Sequence, residues 1–270
     1  MPLLQLILVA IVQGITEFLP VSSSGHLILL PNLLNMPDQG QVIDVAVHIG
    51  TLGAVMLYFR KDVARAVTGL RHIVTGQTNT PDARLALMLV LATVPVVIAG
   101  VIFKLGGIDD MLRSVKVIAW TTLVFGLVLW VADRQGPITK TSDDWTFKDA
   151  LIMGFWQVIA LIPGTSRSGI TITGARQLGY AREDAAKLAM LMSIPTILAS
   201  GALLGLEVAS TMDAAAARDS AIAAAFAFVA ALVALHFMMR LLKSVSFTPY
   251  VIYRMFLGVA LLIYSYGLAA

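Results

Sequence analysis

The chain has 270 residues, of which 58% are hydrophobic and 13% charged, with a formal net charge of +3 and no cysteine. This composition excludes a soluble globular domain and places the chain among multi-spanning membrane proteins. It also excludes disulfides and thiolate metal sites, and the basic residues sit mainly in short loops, where membrane topology accounts for them better than a nucleic-acid partner.

From the N-terminus, Leu3 to Val12 is apolar but follows no basic residue and runs into Gln13 and Glu17, so it reads as mature structure rather than a cleaved signal. The wider region Leu3 to Leu34 is broken near its middle by a Pro, Ser and Gly cluster, as is Ala150 to Leu178. Six other stretches are long enough to cross a bilayer: Val42–Phe59, Leu85–Phe103, Val115–Val131, Ala185–Leu206, Ala221–Met239 and Pro249–Leu268. The halves of the two broken regions are too short to span. Their pattern predicts an all-α integral membrane protein with six transmembrane helices and two re-entrant helix-loop-helix hairpins.

A shift of 144 positions brings Gln13 onto Gln157, Ser22 onto Ser166, Ser24 onto Ser168 and Gly25 onto Gly169. Each half then reads as one broken hairpin followed by three spans, giving repeats at 1–134 and 145–270 within a single membrane domain, 1–270. Most of the 19 basic residues fall on one side if the loop carrying Arg60, Lys61, Arg65, Arg71 and Arg84 is cytoplasmic, together with the segments holding Arg134, Arg176, Arg182 and Arg240. Three spans per half is odd, so the second repeat is expected to be inverted, with the hairpins entering from opposite faces.

The polar residues of the breaks are the candidates for chemistry. Gln13 and Glu17 share a helix face, and Pro20 should end that helix just beyond them. Ser22, Ser23 and Ser24 with Gly25 can cap the next half-helix, and their hydroxyls with free N–H groups suit a phosphate. His26 follows directly and can exchange protons. In the second break, Arg167 at membrane depth requires an anionic partner, either Glu17 or a phosphate held in a bidentate clamp. Ser166, Ser168, Thr171 and Thr173 add hydroxyls around it, although such hydroxyls often bond back to their own helix. Asp44 and His48, four apart, can approach the first break from the first span, with structural or interfacial roles favoured. Arg254 is expected to snorkel toward the headgroups.

The two islands resemble the signature regions of the undecaprenyl-diphosphate phosphatases, also called bacitracin-resistance proteins. The first runs from Gln13 to His26 through Glu17-Phe18-Leu19-Pro20-Val21-Ser22-Ser23, the second from Pro163 to Thr171 through Ser166-Arg167-Ser168, and Phe247 to Arg254 fits as well. Many members have Glu where this chain has Gln13. The resemblance implies an enzyme of the bacterial inner membrane that hydrolyses undecaprenyl diphosphate to the monophosphate and inorganic phosphate, recycling the lipid carrier of cell-wall synthesis. It further implies a dimeric assembly. Glu17, Ser23, His26 and Arg167 are then expected to be catalytic. Gln13, Ser22, Ser24, Gly25, Gly164, Ser166, Ser168 and Thr171 are expected to bind substrate. A divalent cation, Mg2+ or else Ca2+, is expected with Glu17 as its only strong protein ligand. The competing reading is a secondary transporter or flippase of an anionic lipid phosphate, because inverted broken helices are also transporter architecture.

Overall fold

The computed structural model describes residues 1–34, 39–112, 114–209 and 213–268. In chain order the helices are α1 (Leu3–Phe18), α2 (Ser23–Leu34), α3 (Gly40–Tyr58), α4 (Arg60–Val74), α5 (Pro81–Leu105), α6 (Ile108–Leu112), α7 (Val115–Gln135), α8 (Phe147–Val158), α9 (Arg167–Gln177), α10 (Arg182–Ala209), α11 (Ala214–Leu241) and α12 (Thr248–Ile263). Among the described residues, six of these helices are long and apolar enough to cross a membrane: α3, α5, α7, α10, α11 and α12. They coincide with the six predicted stretches. The two interrupted regions are helix-break-helix pairs, α1 with α2 and α8 with α9, and the members of each pair pack on one another.

Local sequence explains the helix starts. Thr80, Ser114, Thr146 and Asp213 each place a side-chain oxygen on the backbone N–H three residues ahead, capping α5, α7, α8 and α11. The loop expected after the first span contains α4, whose basic residues Arg60, Lys61, Arg65 and Arg71 lie along a helix packed on α5.

Packing runs across the halves. The α1 helix lies on α11 and α8 lies on α5, while α3 packs on α11 and α10 on α5; α7 meets α12, and α3 meets α10. Ala223, Ala227 and Ala231, spaced by four on α11, are fully buried, and such a small-residue stripe lets helices approach closely where lipid offers little hydrophobic drive.

Two arginines are wholly buried, Arg254 against the sequence reading. Arg254 does not snorkel: it is fully buried. Arg176, expected in a cytoplasmic segment, is also fully buried, donating to Asp133 Oδ1 at 3.2 Å, to the carbonyls of Asp133, Gly136 and Pro137, and to that of Tyr180. Asp133 also accepts from Arg182 at 2.8 Å and from the Phe247 N–H at 3.2 Å, so one carboxylate ties the ends of α7, α9, α10 and α12. Beside it, burial and a 2.6 Å bond donated to Asp149 push the Tyr180 phenol well above its ordinary range.

Candidate active site

The two breaks have the same backbone solution. Ser22 and Ser166, equivalent under the 144-residue shift, both have φ 73° and are the only non-glycine residues with positive φ among those described. Such a conformation costs about 1–3 kcal/mol and persists only where the surroundings enforce it. Here it turns each serine back over the next helix. Ser22 Oγ accepts from the Gly25 N–H at 3.3 Å and Ser166 Oγ from the Gly169 N–H at 3.1 Å, capping α2 and α9.

What enforces the turns is a set of donors aimed at their carbonyls. Thr121 and Thr122 of α7 donate to the carbonyls of Pro163 at 2.6 Å and Gly164 at 3.3 Å. Ser168 donates to Leu19 O at 2.9 Å. Arg254, with no carboxylate partner among the described residues, reaches Gly164 O at 3.1 Å, Pro20 O at 3.4 Å, Thr122 O at 3.1 Å and Thr121 O at 3.4 Å. One guanidinium thus bonds both breaks and α7. Sequence reasoning missed this because a single arginine near a helix start carries no sign of which carbonyls face it.

Between the breaks lies a cavity of about 160 Å³, lined by Glu17, Ser22, Ser23, Ser24, Ser166, Arg167, His48, Ala160, Ile197 and Ser200. The Glu17 carboxylate is its centre. Oε1 accepts from Arg167 Nη2, while Oε2 accepts from Ser23 Oγ at 2.6 Å and Gln13 Nε2 at 2.7 Å. His48 Nε2 stands 3.7 Å from Oε2. Of the two partners expected for Arg167, the Glu17 ion pair is therefore present in the free protein.

Several expected binding residues are placed elsewhere. Thr171 is fully buried and donates to the carbonyls of Arg167 and Ser168 in its own helix. Thr173 likewise bonds back to Gly169 O. Ser168, Gly164 and Gly25 do not line the cavity. They shape the turns: Gly164 has φ +88°, and a Cβ there would lie 2.2 Å from Thr121 Oγ1. Gln13, also fully buried, reaches the site only by its bond to Glu17. His26 is outside the lining too. Its Nδ1 lies 2.7 Å from Ser22 O and its Nε2 2.6 Å from the Tyr253 hydroxyl, on which the ring stacks. The imidazole beside Glu17 is that of His48.

A model of the bacitracin resistance protein BacA family matches residues 6–260. The chain belongs to that family. It is 65% identical over 267 residues to the undecaprenyl-diphosphatase of Ruegeria pomeroyi, covering 99% of this chain and 100% of the relative. It is 66% identical, with the same coverage, to that of Dinoroseobacter shibae. At greater distance it is 46% identical to the undecaprenyl-diphosphatase of Teredinibacter turnerae over 263 residues, 97% of this chain and 99% of the relative.

Glu17 is the carboxylate that lines the cavity and could hold a metal ion. No group of three or more His, Asp or Glu side chains converges among the described residues. The only carboxylate in the cavity already accepts three hydrogen bonds, one of them from a guanidinium.

Proposed function

We propose that this BacA-family protein is a membrane-bound undecaprenyl-diphosphatase that releases inorganic phosphate from undecaprenyl diphosphate. One observation carries the reading: the Glu17 carboxylate, the Ser23 hydroxyl beside it and the guanidinium of Arg167, 150 residues from Glu17, converge on one small cavity, with the N-terminal turns of two helices in its wall. Diphosphate hydrolysis requires little else from a protein, because it depends on positioning the phosphoryl group and neutralising the charge that moves to the leaving oxygen. Arg167 clamps the phosphates, exchanging part of its contact with Glu17 for the substrate. Glu17 accepts the Ser23 proton, and Ser23 Oγ attacks the terminal phosphorus to give a transient phosphoserine. Ser22, Ser24 and Ser166 complete the cradle. His26 fixes the Ser22 turn through its carbonyl. A divalent cation, Mg2+ or Ca2+, would supply charge neutralisation to the diphosphate, with Glu17 as the carboxylate at hand to hold it.

The surrounding architecture is read as two repeats, 1–134 and 145–270, inverted in the bacterial inner membrane with re-entrant hairpins. Helix packing supports this: exchanging the halves maps the α1–α11 contact onto α8–α5 and α3–α11 onto α10–α5, and leaves α7–α12 and α3–α10 unchanged. Assembly as a homodimer belongs to the same proposal. The chain has no cysteine, so a single Thr78→Cys in the exposed α4–α5 turn should label from the cytoplasm only. Gly69 is unsuitable for this, because a Cβ there would lie 2.0 Å from Asp82 O. The transporter alternative is not favoured, since transport of an anionic lipid needs the guanidinium but not the hydroxyl hydrogen-bonded to a carboxylate.

The deciding experiment is phosphate release from a long-chain polyprenyl diphosphate by purified wild type, Arg167→Ala and His26→Ala, with and without chelator. Turnover by wild type that is lost in Arg167→Ala supports the reading. Absence of turnover by folded wild type overturns it in favour of transport.

A further inference from the structure

The helix that joins the first two spans presents three different faces. At about 3.6 residues per turn, Asp62, Ala66, Gly69 and Ile73 fall on one side of α4, and Gly69 is buried there against the Asp82 carbonyl of α5. About a quarter turn further round, Val63, Val67, Leu70 and Val74 come into line. Val67 is 60% exposed, Leu70 49% and Val74 87%, so most of this apolar stripe has no protein over it. The remaining face carries Lys61, Ala64, Arg65, Thr68 and His72. Arg60 and Arg71 lie within about 20° of one another, on the edge between the stripe and that polar face.

The charge on α4 is not balanced by the protein. Arg60, Lys61, Arg65 and Arg71 share the helix with the single carboxylate of Asp62. Arg65 is engaged with Asp62 at 3.7 Å and Asp82 at 3.1 Å, and Lys187 of α10 takes Asp62 at 3.0 Å. Arg60, Lys61 and Arg71 are exposed and form no ion pair among the described residues. Beside the stripe, a cavity of about 170 Å³ is walled by Met56, Val63, Val67, Leu70, Ile194 and Leu198, and every described residue in its lining is apolar. Such a recess does not hold water, and acyl chains are the apolar material that a bilayer supplies to it.

We propose that α4 is an interfacial helix that binds anionic phospholipid. The stripe sinks among acyl chains, Arg60 and Arg71 meet headgroup phosphates at its edge, and Lys61 adds to the positive field on the water side. The three faces suit that position, with protein on one side, hydrocarbon below and water above. A zwitterionic lipid brings the same phosphate with a cation of its own, which repels the unpaired basic groups, so the helix selects for lipids of net negative charge. None of the residues that line the catalytic cavity is on α4, so the lipid site stands whatever reaction that cavity performs.

The test uses the full chain in liposomes, where the absence of cysteine allows a single label. Val74→Cys, at the most exposed point of the stripe, carries an environment-sensitive fluorophore. Its quenching by brominated phosphatidylglycerol is compared with that by brominated phosphatidylcholine at equal mole fraction. Both lipids should quench, because the stripe lies in hydrocarbon, and the anionic one should quench about 2-fold more strongly. That excess should shrink between about 0.05 M and about 0.5 M NaCl, since exposed charges are screened. It should vanish in Arg60→Gln/Lys61→Gln/Arg71→Gln and persist in Lys148→Gln/Arg240→Gln/Lys243→Gln, which removes the same charge elsewhere. Thermal melting checks the folding of both; should the first not fold, Arg71→Gln alone should remove about half of the excess. Equal quenching by the two lipids, or an excess that neither salt nor loss of the three cations changes, would overturn the proposal. So would a label that neither lipid reaches because water or another protein covers the stripe.

Discussion

The two breaks share a backbone and differ in what they carry. Each ends a helix, turns through a serine at φ 73° and starts the next helix under that serine's own cap. The residue that follows the turn is Ser23 in the first break and Arg167 in the second, so equivalent positions present a small hydroxyl and a long cation to the same carboxylate. Two turns of the same φ thus face one cavity, and the residue after each serine makes them chemically complementary. The cavity is bounded by rigid elements, which is where precise positioning of reacting groups is obtained.

This contrast can be broken most severely at Arg167. Arg167→Ala should lower phosphate release by at least 10²–10³-fold, the order seen when a charge-stabilising donor is lost. It should also destabilise the protein by about 3 kcal/mol, because Glu17 is left buried without its cation. Adding Glu17→Gln should restore melting temperature without restoring turnover. Recovery of turnover in the double variant would reduce Arg167 to a structural partner of Glu17. At the equivalent position, Ser23→Ala should cost nearly as much activity with little change in stability; a loss of only a few-fold, with no phosphoenzyme trapped by acid quench, would assign the attack to water. Ser22→Ala and Ser166→Ala should resemble each other, each removing a cap worth about 1 kcal/mol.

Much of this arrangement was legible in the sequence. Long apolar runs locate the spans because the bilayer sets their length, and Pro20 and Pro163 mark the breaks because proline cannot continue a helix. The convergence of Glu17, Ser23 and Arg167 was readable because charge at membrane depth must find a partner. The supporting contacts were not. Arg254 and Arg176 look like interfacial charges in one dimension, and their burial follows from carbonyls freed by breaks and loops far away in the chain. Thr121 and Thr122 carry no motif that marks them as donors to the second break.

The supports themselves can be tested. Arg254→Lys keeps the charge but cannot bond four carbonyls of three segments at once, so it should lower the melting temperature and slow turnover with both breaks still carrying their reactive residues. Gly164→Ala should be of similar severity, roughly 2 kcal/mol, since it adds a Cβ at φ +88° against Thr121 and the Ile118 carbonyl. Gly25→Ala should do much less. Its nearest Cβ contact, Ile118 Cγ2, is 3.3 Å away, and alanine gains helix propensity at that position. Equal damage from both substitutions, measured by thermal melting, would show that the first turn is as tightly enclosed as the second.

The smallest structural effect should come from removing divalent cations. Glu17 already accepts from Arg167, Ser23 and Gln13, so a metal ion binding it without substrate would have to displace the Arg167 guanidinium from beside it. Chelation should therefore leave the melting temperature of the substrate-free protein unchanged, even where it slows turnover by withdrawing the counter-ion of the diphosphate. The rate lost should then be recovered in proportion to the fraction of substrate bound to cation, not to the occupancy of a site on the protein. A melting temperature that rises with Mg2+ or Ca2+ before substrate is added would show instead that Glu17 releases Arg167 to take a metal, and that the first break binds a cation where the second binds the anion.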